Sequence, residues 1–298
     1  MNDPGRDRQS TVAERIQLHF DSLTGAEKRA ARALTTDYPV TGMDTVQRFA
    51  ERASVSPATI VRFVKSLGFD SFREFQESLR TELKERQESV LTQATSTNPH
   101  EANTGATGAL EESKRVFLEG IEKTLGSVPS GEYIRTVEWL ADTKRRIVTA
   151  GGTFSGLLAE HLAAQLSLFR GNVLVSPQSA LHRASLVLDS RAKNDVWVLF
   201  DFRRYQSSTE LLAQEVDQRG ARLVLVTDRW LSPIASIADV VLIASVDAPG
   251  PSDSLVPGLA LVEAIAEQVS ERIGEQGIAK LEQLDPMRVR LEFGSGAG

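Results

Sequence analysis

The sequence contains no cysteine among its 298 residues. This absence excludes disulfide bonds, a thiolate nucleophile and a zinc site built from cysteine ligands. Long apolar runs are missing as well, since no stretch approaches the roughly 18 consecutive apolar residues of a membrane span. The polar start "MNDPGRDRQS" lacks the apolar core of a signal peptide. We therefore expect a cytoplasmic protein that does not associate with a membrane.

Motifs that bind nucleotides or carry out catalysis are also missing. The turn "GGTFSG", residues 151–156, departs from the G-x-G-x-x-G pattern of dinucleotide sites, and no G-x-x-x-x-G-K-[ST] phosphate loop occurs. The four histidines do not have metal-ligand spacing, and no nucleophile has an evident base. His182 and Glu263 are isolated polar residues, which is typical of a helix surface. We therefore expect no catalytic residue, no metal site and no cofactor.

Charge is unevenly distributed along the chain. The net charge is −6, yet residues 1–90 hold 14 bases and 14 acids, so the acidic excess belongs to the remaining residues. Residues 45–73 contain two acids and five bases, which are Arg48, Arg52, Arg62, Lys65 and Arg73. A locally basic region in an acidic protein is typical of a confined anionic partner, although a solvated helical surface gives the same pattern.

One polar stretch divides the chain. Residues 92–108, "TQATSTNPHEANTGATG", have no apolar period and cannot bury enough surface to fold. Helical patterns precede this stretch, and after it come the apolar runs "RRIVTA", "NVLVS", "DVWVLF", "ARLVLVT" and "DVVLIAS". Strands that alternate with helices predict a parallel sheet with right-handed crossovers. We predict an all-α domain over residues 1–90, a linker over 91–110, an α/β domain over 111–285 and a C-terminal tail over 286–298.

Two short helices in the first domain have the pattern of a helix-turn-helix. The first is predicted over residues 45–53, and the second begins with Ser56 as N-cap and Pro57 at the first helical position. Gly68 is placed to end the second helix. The residues expected to face the core are Ile60, Val61, Val64 and Leu67. The residues expected to project from the opposite side are Thr59, Arg62, Lys65 and Ser66.

The second helix of a helix-turn-helix lies in the major groove, where its first residues reach base edges. Arg62 can donate two hydrogen bonds to a guanine, and Thr59 can contact a base or a thymine methyl. Lys65 and Arg73 are better suited to phosphates. The predicted DNA-binding residues are Ser56, Pro57, Thr59, Arg62, Lys65 and Arg73. The alternative is a small helical packing domain with an ordinary charged face.

The segments "LTGAEKRAARALTTD" and "TVQRFAERASVSPATIVRFVKSLGFDSFREFQESL" resemble the N-terminal domain of the RpiR/MurR family of bacterial transcriptional regulators. The resemblance covers about residues 20–83 and is most specific in "VSPATIVRFVKSLGFDSFREF". It implies that residues 56–65 contact operator DNA. It also implies that the second domain is a sugar isomerase (SIS) domain, with a flavodoxin-like five-stranded parallel sheet that binds phosphosugars.

The strand pattern agrees with such a sheet. We predict strands over residues 146–150, 172–175, 196–200, 222–227 and 240–244. The turn after the first strand opens a helix, and free backbone N–H groups at a helix start favour an anion. By resemblance, this turn is similar to the family's first ligand loop, G-x-G-x-S: Gly151 and Ser155 match, and Thr153 replaces the second glycine. The alternative is a tight turn in which Ser155 is only a cap.

The loop after the third strand departs from the resemblance. Family members carry S-x-S-G-x-T there, whereas this chain has "DFRRYQ", residues 201–206. Arginine pairs with phosphate or carboxylate through two hydrogen bonds, so Arg203 and Arg204 predict an anion-binding loop. In an extended segment these neighbours point in opposite directions, one into the pocket and one towards an acid such as Asp201 or a partner subunit. The predicted effector-binding residues are Gly151, Thr153, Ser155, Asp201, Arg203, Arg204 and Tyr205. A salt-bridged subunit contact and a site without effector are the alternatives.

These observations predict a transcriptional regulator with double-stranded operator DNA and a small anionic effector, a sugar phosphate or sugar acid, as partners. A single helix-turn-helix covers few base pairs, so we expect a homodimer or higher homo-oligomer assembled through the sheet domain. Two other functions stay open. One is a phosphosugar aldose-ketose isomerase with an accessory helical domain, which the altered loop argues against. The other is a regulator whose sheet domain only oligomerises.

Overall fold

The structure is a computed structural model, and it describes residues 10–86, 105–250 and 252–293. Its first part is a bundle of short helices, and its second part is an α/β unit with a parallel sheet, as the sequence predicts. The N-terminal helices are α1 (Val12–His19), α2 (Gly25–Thr36), α3 (Val40–Met43), α4 (Val46–Arg52), α5 (Pro57–Ser66) and α6 (Phe72–Arg86).

The first two helices begin at capping boxes. The Thr11 hydroxyl accepts the backbone N–H of Glu14, and the Glu14 carboxylate accepts the backbone N–H of Thr11. Thr24 and Glu27 make the same pair of bonds at the start of α2. The T-x-x-E spacing in the sequence therefore sets where both helices start, because it satisfies N–H groups that have no partner inside the helix.

Helix α5 begins and ends where the sequence predicts. The Ser56 hydroxyl accepts the backbone N–H of Thr59 at 3.2 Å, and Pro57 is the first helical residue. Gly68 follows the helix with a φ of +83°, a conformation in which a side chain would be strained. These three residues fix the orientation of α5 relative to α4 and α6.

Two residues of α5 lie on the face opposite to the one expected. Val61, expected in the core, is 42% exposed, and Thr59, expected to project outward, is buried. The buried apolar set of this helix is Ile60, Phe63, Val64 and Leu67. These positions have the i, i+3, i+4, i+7 spacing of one helical face, which leaves Val61 outside. Phe63 packs edge-to-face on Phe49 of α4, with ring centroids 6.2 Å apart.

The second part of the molecule contains five parallel strands in the order β2-β1-β3-β4-β5. The strands are β1 (Arg146–Gly151), β2 (Val173–Val175), β3 (Asp195–Asp201), β4 (Arg222–Thr227) and β5 (Val240–Ile243). Each lies within one residue of its predicted bounds. Every residue of the central strand β3 is buried. The strand order reverses between β1 and β3, and such a reversal creates a crevice at the carboxyl ends of the strands.

Helices cover both faces of the sheet. They are α7 (Gly105–Ser127), α8 (Ser130–Ala141), α9 (Gly156–Phe169), α10 (Ala180–Leu188), α11 (Ser207–Gln218), α12 (Val256–Ile273) and α13 (Glu275–Phe293). Helices α8, α9 and α12 bury Leu140, Leu162 and Ile265 against one face. Helices α10 and α11 bury Val187 and Leu212 against the other. In the part of the chain that the structure describes, every helix is too short or too polar to cross a lipid bilayer.

Helix α1 joins the two parts of the molecule. Its Ala13 is buried in the same apolar cluster as Leu231 and Ile243, which belong to the sheet domain. Beside this contact the Thr11 hydroxyl donates to the backbone carbonyl of Arg229 at 3.1 Å. The sequence pattern does not predict this docking. The apolar residues of α1 pack against two neighbours, the N-terminal helices and the sheet domain, and the pattern does not reveal the second.

Two further contacts hold α1 on the sheet domain. The Gln17 side chain donates to the carbonyl of Val241 at 3.0 Å, on the outer edge of β5. Lys123 of α7 pairs with the buried carboxylate of Glu14, with Nζ and Oε1 2.9 Å apart. The N-terminal domain is thus bound to the sheet domain by apolar, hydrogen-bond and ionic contacts together.

Two helices extend into segments that the sequence assigns to a linker and a tail. Helix α7 begins at Gly105, inside the predicted linker, and α13 continues to Phe293, although a tail is predicted from residue 286. Contacts that the sequence does not reveal hold α13, since Lys280 donates to the carbonyl of Ser167 and Gly277 packs against Phe169. The predicted linker residues 91–104 and tail residues 294–298 lie outside the described residues.

Candidate functional sites

The first candidate site is the exposed face of α5. Its exposed residues are Pro57, Ala58, Val61, Arg62, Lys65 and Ser66. Arg62 donates to the Thr59 hydroxyl at 3.2 Å, and the Ser56 hydroxyl lies 2.9 Å from the same oxygen. Thr59 is therefore buried beneath Arg62 and orients its guanidinium, and the expectation that Thr59 faces outward is wrong. Thr59 and Arg62 are three positions apart, and residues i and i+3 lie on the same face of a helix, which explains their contact.

Arginines of neighbouring helices flank this face. Arg73 of α6 is highly exposed, and its Nε lies 3.0 Å from the carboxylate of Glu77. Arg52 of α4 lies 2.7 Å from the carboxylate of Asp37. Ion pairs between exposed side chains contribute little stability, so a phosphate can replace either carboxylate at small cost. The predicted phosphate-binding residue Arg73 is thus accessible from solvent.

The second candidate site lies at the carboxyl ends of the strands, where the turn after β1 leads into α9. A side chain on Gly151 would lie 2.7 Å from the backbone nitrogen of Gly156, so only glycine fits this close approach. Ser155 is buried; its hydroxyl accepts the N–H of Gly152 at 2.8 Å and donates to the carbonyl of Phe200 at 2.7 Å. Ser155 therefore ties the turn to β3 inside the fold, while Thr153 is exposed at the tip of the turn.

The loop after β3 begins with a buried carboxylate. The Asp201 carboxylate accepts the hydroxyl of Ser232 and no arginine pairs with it in the described residues. Burial raises the pKa of Asp201 to about 6, which the bond from Ser232 opposes. Asp201, which the sequence offered as one possible acidic partner for an arginine, is therefore not that partner. Its role in the structure is to anchor the start of the loop against the segment after β4.

Both arginines of this loop bind one carboxylate, that of Asp253. Arg203 is buried and pairs with Asp253 Oδ1, and Arg204 Nη2 lies 2.7 Å from Oδ2. The Arg203 guanidinium also lies over the ring of Trp230, 4.8 Å from its centroid. Arg204 has a φ of +71°, so the chain turns there. The expectation that the two side chains point in opposite directions is therefore wrong, because it assumes an extended segment.

A second buried carboxylate holds the same loop from β4. Asp228 accepts hydrogen bonds from the Tyr205 hydroxyl at 2.7 Å, from the Trp230 N–H at 3.0 Å and from the Arg203 N–H. Burial raises the pKa of Asp228 to about 6, and these three donors oppose the shift. Tyr205 is thus fixed by the strand-end segment beside it, which contributes to a rigid loop.

The turn after β1 and the loop after β3 meet through Gln206. Its side-chain amide donates to the Thr153 hydroxyl at 3.2 Å and packs against Gly152. A cavity of about 280 Å³ opens beside the turn, between the ends of β1 and β2, and it is lined by Gly151, Val175 and Gln178 among others. Arg203 and Arg204 are not among the residues that line this cavity. The predicted effector residues therefore belong to two adjoining areas.

The sequence led us to read Asp228 only as a turn residue and to overlook Asp253, the two acids that organise this site. Asp228 directly follows β4, and the ends of neighbouring parallel strands meet at one edge, so its position was a usable signal. Asp253 lies in the segment before α12, where no periodic pattern points to it. Only the fold brings Asp253 to the arginine pair.

The isolated residues His182 and Glu263 lie apart from the arginine pair. His182 is exposed on α10, and Glu263 of α12 is hydrogen-bonded to His161 of α9. Among the described residues, no group of three or more His, Cys, Asp or Glu side chains is arranged to hold a metal ion.

Known proteins share both parts of this structure. The model of the rpiR-family helix-turn-helix domain matches residues 10–86, and the SIS domain model matches residues 140–268. A Haemophilus influenzae protein named as an uncharacterized HTH-type transcriptional regulator is 26% identical over 239 residues, covering 79% of this chain and 80% of that protein.

Solved structures agree with these matches. The sugar isomerase domain of an RpiR transcription factor from Sphaerobacter thermophilus is similar, with a TM-score of 0.55 and 25% identity, over 59% of this chain and 98% of that one. The Vibrio vulnificus NanR protein complexed with ManNAc-6P has a TM-score of 0.53 and 17% identity, over 93% and 98% of the two chains. At 17% identity, the likeness to NanR shows a shared fold and no more.

The fold and its two candidate sites define a protein class in which a helix-turn-helix domain precedes a sugar-isomerase-like sheet domain. The two family models match in that order. The chain belongs to the RpiR family of transcriptional regulators, which confirms the resemblance found in the sequence.

Proposed function

We propose that this regulator binds operator DNA through α5 and a small organic anion through Arg203 and Arg204, and that the anion modulates DNA binding. The observation that carries the anion site is the contact of two guanidinium groups with the single carboxylate of Asp253. Two arginines on one carboxylate form a site for an anion that happens to be filled from within the chain. We place the protein in the cytoplasm as a homo-oligomer without catalytic activity.

The proposed DNA contacts come from the exposed face of α5. Arg62 is the residue we assign to a guanine, because Thr59 holds its guanidinium at the middle of that face. Val61, which is exposed beside it, takes the apolar contact with a thymine methyl that the sequence suggested for Thr59. Lys65 and Arg73 are assigned to phosphates, and Ser56 and Pro57 to the start of the helix at the groove.

The segment after β4 supports a connection between the two sites. Asp228 accepts the N–H of Arg203, and the carbonyl of the next residue, Arg229, accepts the hydroxyl of Thr11 at the start of α1. Arg15 of α1 in turn donates to the carbonyl of Leu67 at the end of α5, at 3.1 Å. A ligand that moves the arginine loop can thus favour one placement of α1 and α5 over another.

The chemistry of the arginine pair restricts the effector. A planar carboxylate already fits between the guanidinium groups, so a sugar acid or a sugar phosphate has the right charge and hydrogen-bond geometry. The Vibrio vulnificus NanR protein is complexed with ManNAc-6P, a sugar phosphate, which favours the phosphate. The hydroxyl-rich signature expected for such a ligand is absent from residues 201–206, so arginine supplies the donors in this proposal.

The test is a titration of the full chain with a panel of sugar phosphates and sugar acids, followed by operator binding with and without the compound that binds. Asp253→Asn removes the internal carboxylate that competes for both arginines, so we expect about tenfold tighter anion binding. Arg203→Ala combined with Arg204→Ala should abolish the effector response and leave operator affinity unchanged.

Arg219→Ala is the matched control, because Arg219 is an exposed arginine of the same domain whose side chain donates to the carbonyl of Leu188. It should leave both measurements unchanged. If the double variant instead loses its oligomeric state, the loop is a subunit contact and the sheet domain acts as an oligomerisation module. Turnover of any phosphosugar by the wild-type chain would support the isomerase function.

A further inference from the structure

A cavity of about 430 Å³ lies between the N-terminal domain and the sheet domain, away from the arginine pair. Residues of α1 and α2 form one wall, and residues of α8, β5 and the turn at 233–236 form the other. This volume is in the range of small-molecule sites. Because its walls come from two domains, the cavity exists only while the N-terminal domain is docked.

Two residues that line this cavity each have a buried side-chain oxygen with no hydrogen-bond donor among the described residues. Gln17 is 9% exposed, and its amide nitrogen bonds the carbonyl of Val241, which leaves its Oε1 unpartnered. Glu132 of α8 likewise has an unpartnered Oε2. A buried acceptor without a donor costs about 1–3 kcal/mol. The two oxygens belong to different domains and both call for donor groups from a ligand.

The charged residues that line the cavity have no net charge. Its charged lining residues are Arg32, Arg135, Glu132 and Asp239, which are two cations and two anions. Arg135 lies 3.6 Å from Glu132, and Asp239 lies 3.2 Å from Arg222, which is outside the lining. Ile16, Phe20 and Leu231 give the interior an apolar surface. An ion would disturb this balance, whereas an uncharged compound would not.

We propose that this interdomain cavity binds an uncharged small molecule with several hydroxyl groups. Hydroxyl hydrogens satisfy Gln17 and Glu132, hydroxyl oxygens accept from Arg32 and Arg135, and the C–H groups of the compound cover the apolar interior. Since such a compound contacts both domains, it stabilises the docked arrangement and thereby acts on α5 independently of an anion at the strand ends.

The absence of cysteine allows a direct test by thiol labelling. Ser236 lines the cavity and is exposed, so Ser236→Cys places the single thiol of the full-length chain at this site. We expect glucose, fructose, ribose or mannitol to slow maleimide labelling of this cysteine, and glucose 6-phosphate to slow it less than glucose. Ser185→Cys, exposed on α10 and outside the cavity lining, is the control and should label at the same rate throughout.

A second pair of variants tests whether residues that line the cavity contribute to binding. Gln17→Met removes the unpartnered oxygen together with the hydrogen bond to the Val241 carbonyl, and we expect about tenfold weaker protection. If Gln17→Met is unstable, Ala238→Trp at the half-buried rim should block protection instead. Replacing Arg203 and Arg204 by alanine should not alter protection, which separates this site from the proposed anion site. Labelling that none of the four compounds slows, or stronger protection by glucose 6-phosphate, would overturn the proposal.

Discussion

At the scale of single residues, the most specific prediction about DNA binding concerns Arg62. Its guanidinium is held by the Thr59 hydroxyl on the exposed face of α5, so it is already oriented before DNA arrives. We expect Arg62→Ala to lose about 1–3 kcal/mol of specific binding and to relax preference at one base pair. The measurement is operator affinity against a set of single-base variants of the site.

The control for this prediction is Arg73→Ala. Arg73 is exposed on α6 and paired only with Glu77 in the ion pairs of the described residues, so its expected role is to contact a phosphate. Its loss should weaken binding to all sequences alike and lower the salt dependence by about one ion. An Arg62→Ala variant that behaves like Arg73→Ala would show that Arg62 binds the backbone and reads no base.

At the scale of elements, Glu82 of α6 joins three segments of the N-terminal domain. Its carboxylate accepts the N–H of Val12 at the start of α1, the hydroxyl of Tyr38 and the hydroxyl of Ser78. Burial raises the pKa of Glu82 from 4.5 to about 7, because the charged form is removed from water. The folded state therefore holds its proton more tightly than the unfolded state does.

The raised pKa of Glu82 makes the free energy of unfolding depend on pH. Between pH 4.5 and 7 the folded chain binds more protons at Glu82 than the unfolded chain, so the free energy of unfolding falls as pH rises through this window. The contribution is about 3 kcal/mol over the window and is constant above it. Asp201 and Asp228 shift in the same direction, so a variant is needed to isolate Glu82.

Glu82→Gln supplies that comparison, because glutamine keeps the shape and cannot ionise. We expect its stability, measured by urea unfolding, to vary less between pH 4.5 and 7 than that of the wild type. The amide oxygen can keep the bonds from the Val12 N–H and the Ser78 hydroxyl, and the amide nitrogen can donate to the Tyr38 hydroxyl oxygen, which limits the loss of structure. Equal pH slopes for the two chains would mean that Glu82 has an ordinary pKa in the fold.

The sequence predicted the bounds of the helices and strands better than the contacts between them. The strands were placed within one residue because buried parallel strands are apolar throughout, and α5 was bounded correctly because Ser56, Pro57 and Gly68 act through local chemistry. The faces of α5 were assigned less well, since Phe63 and not Val61 completes the i, i+3, i+4, i+7 face that begins at Ile60. Asp253 was missed because its contact with the arginine pair is long-range and carries no local pattern.

At the scale of the whole molecule, the docking of α1 on the sheet domain determines where α5 lies. The Thr11 hydroxyl contacts the segment after β4, and Arg15 contacts the end of α5. One short helix thus touches both the segment that holds the arginine loop and the helix we assign to DNA. Sequence reasoning treated the two domains as tethered units, because an interface between domains needs surfaces that no single segment reveals.

Ala13→Arg tests this arrangement, since Ala13 is buried between α1 and the sheet domain. The larger charged side chain cannot be accommodated there, so we expect the N-terminal domain to separate while its own core stays folded. Small-angle X-ray scattering should report a larger radius of gyration, and the effect of any bound anion on operator affinity should disappear. Leu18→Arg is the control on the same helix, because Leu18 is 56% exposed and its replacement should change neither quantity. If Ala13→Arg keeps the wild-type radius and effector response, docking through α1 is not what connects the two sites.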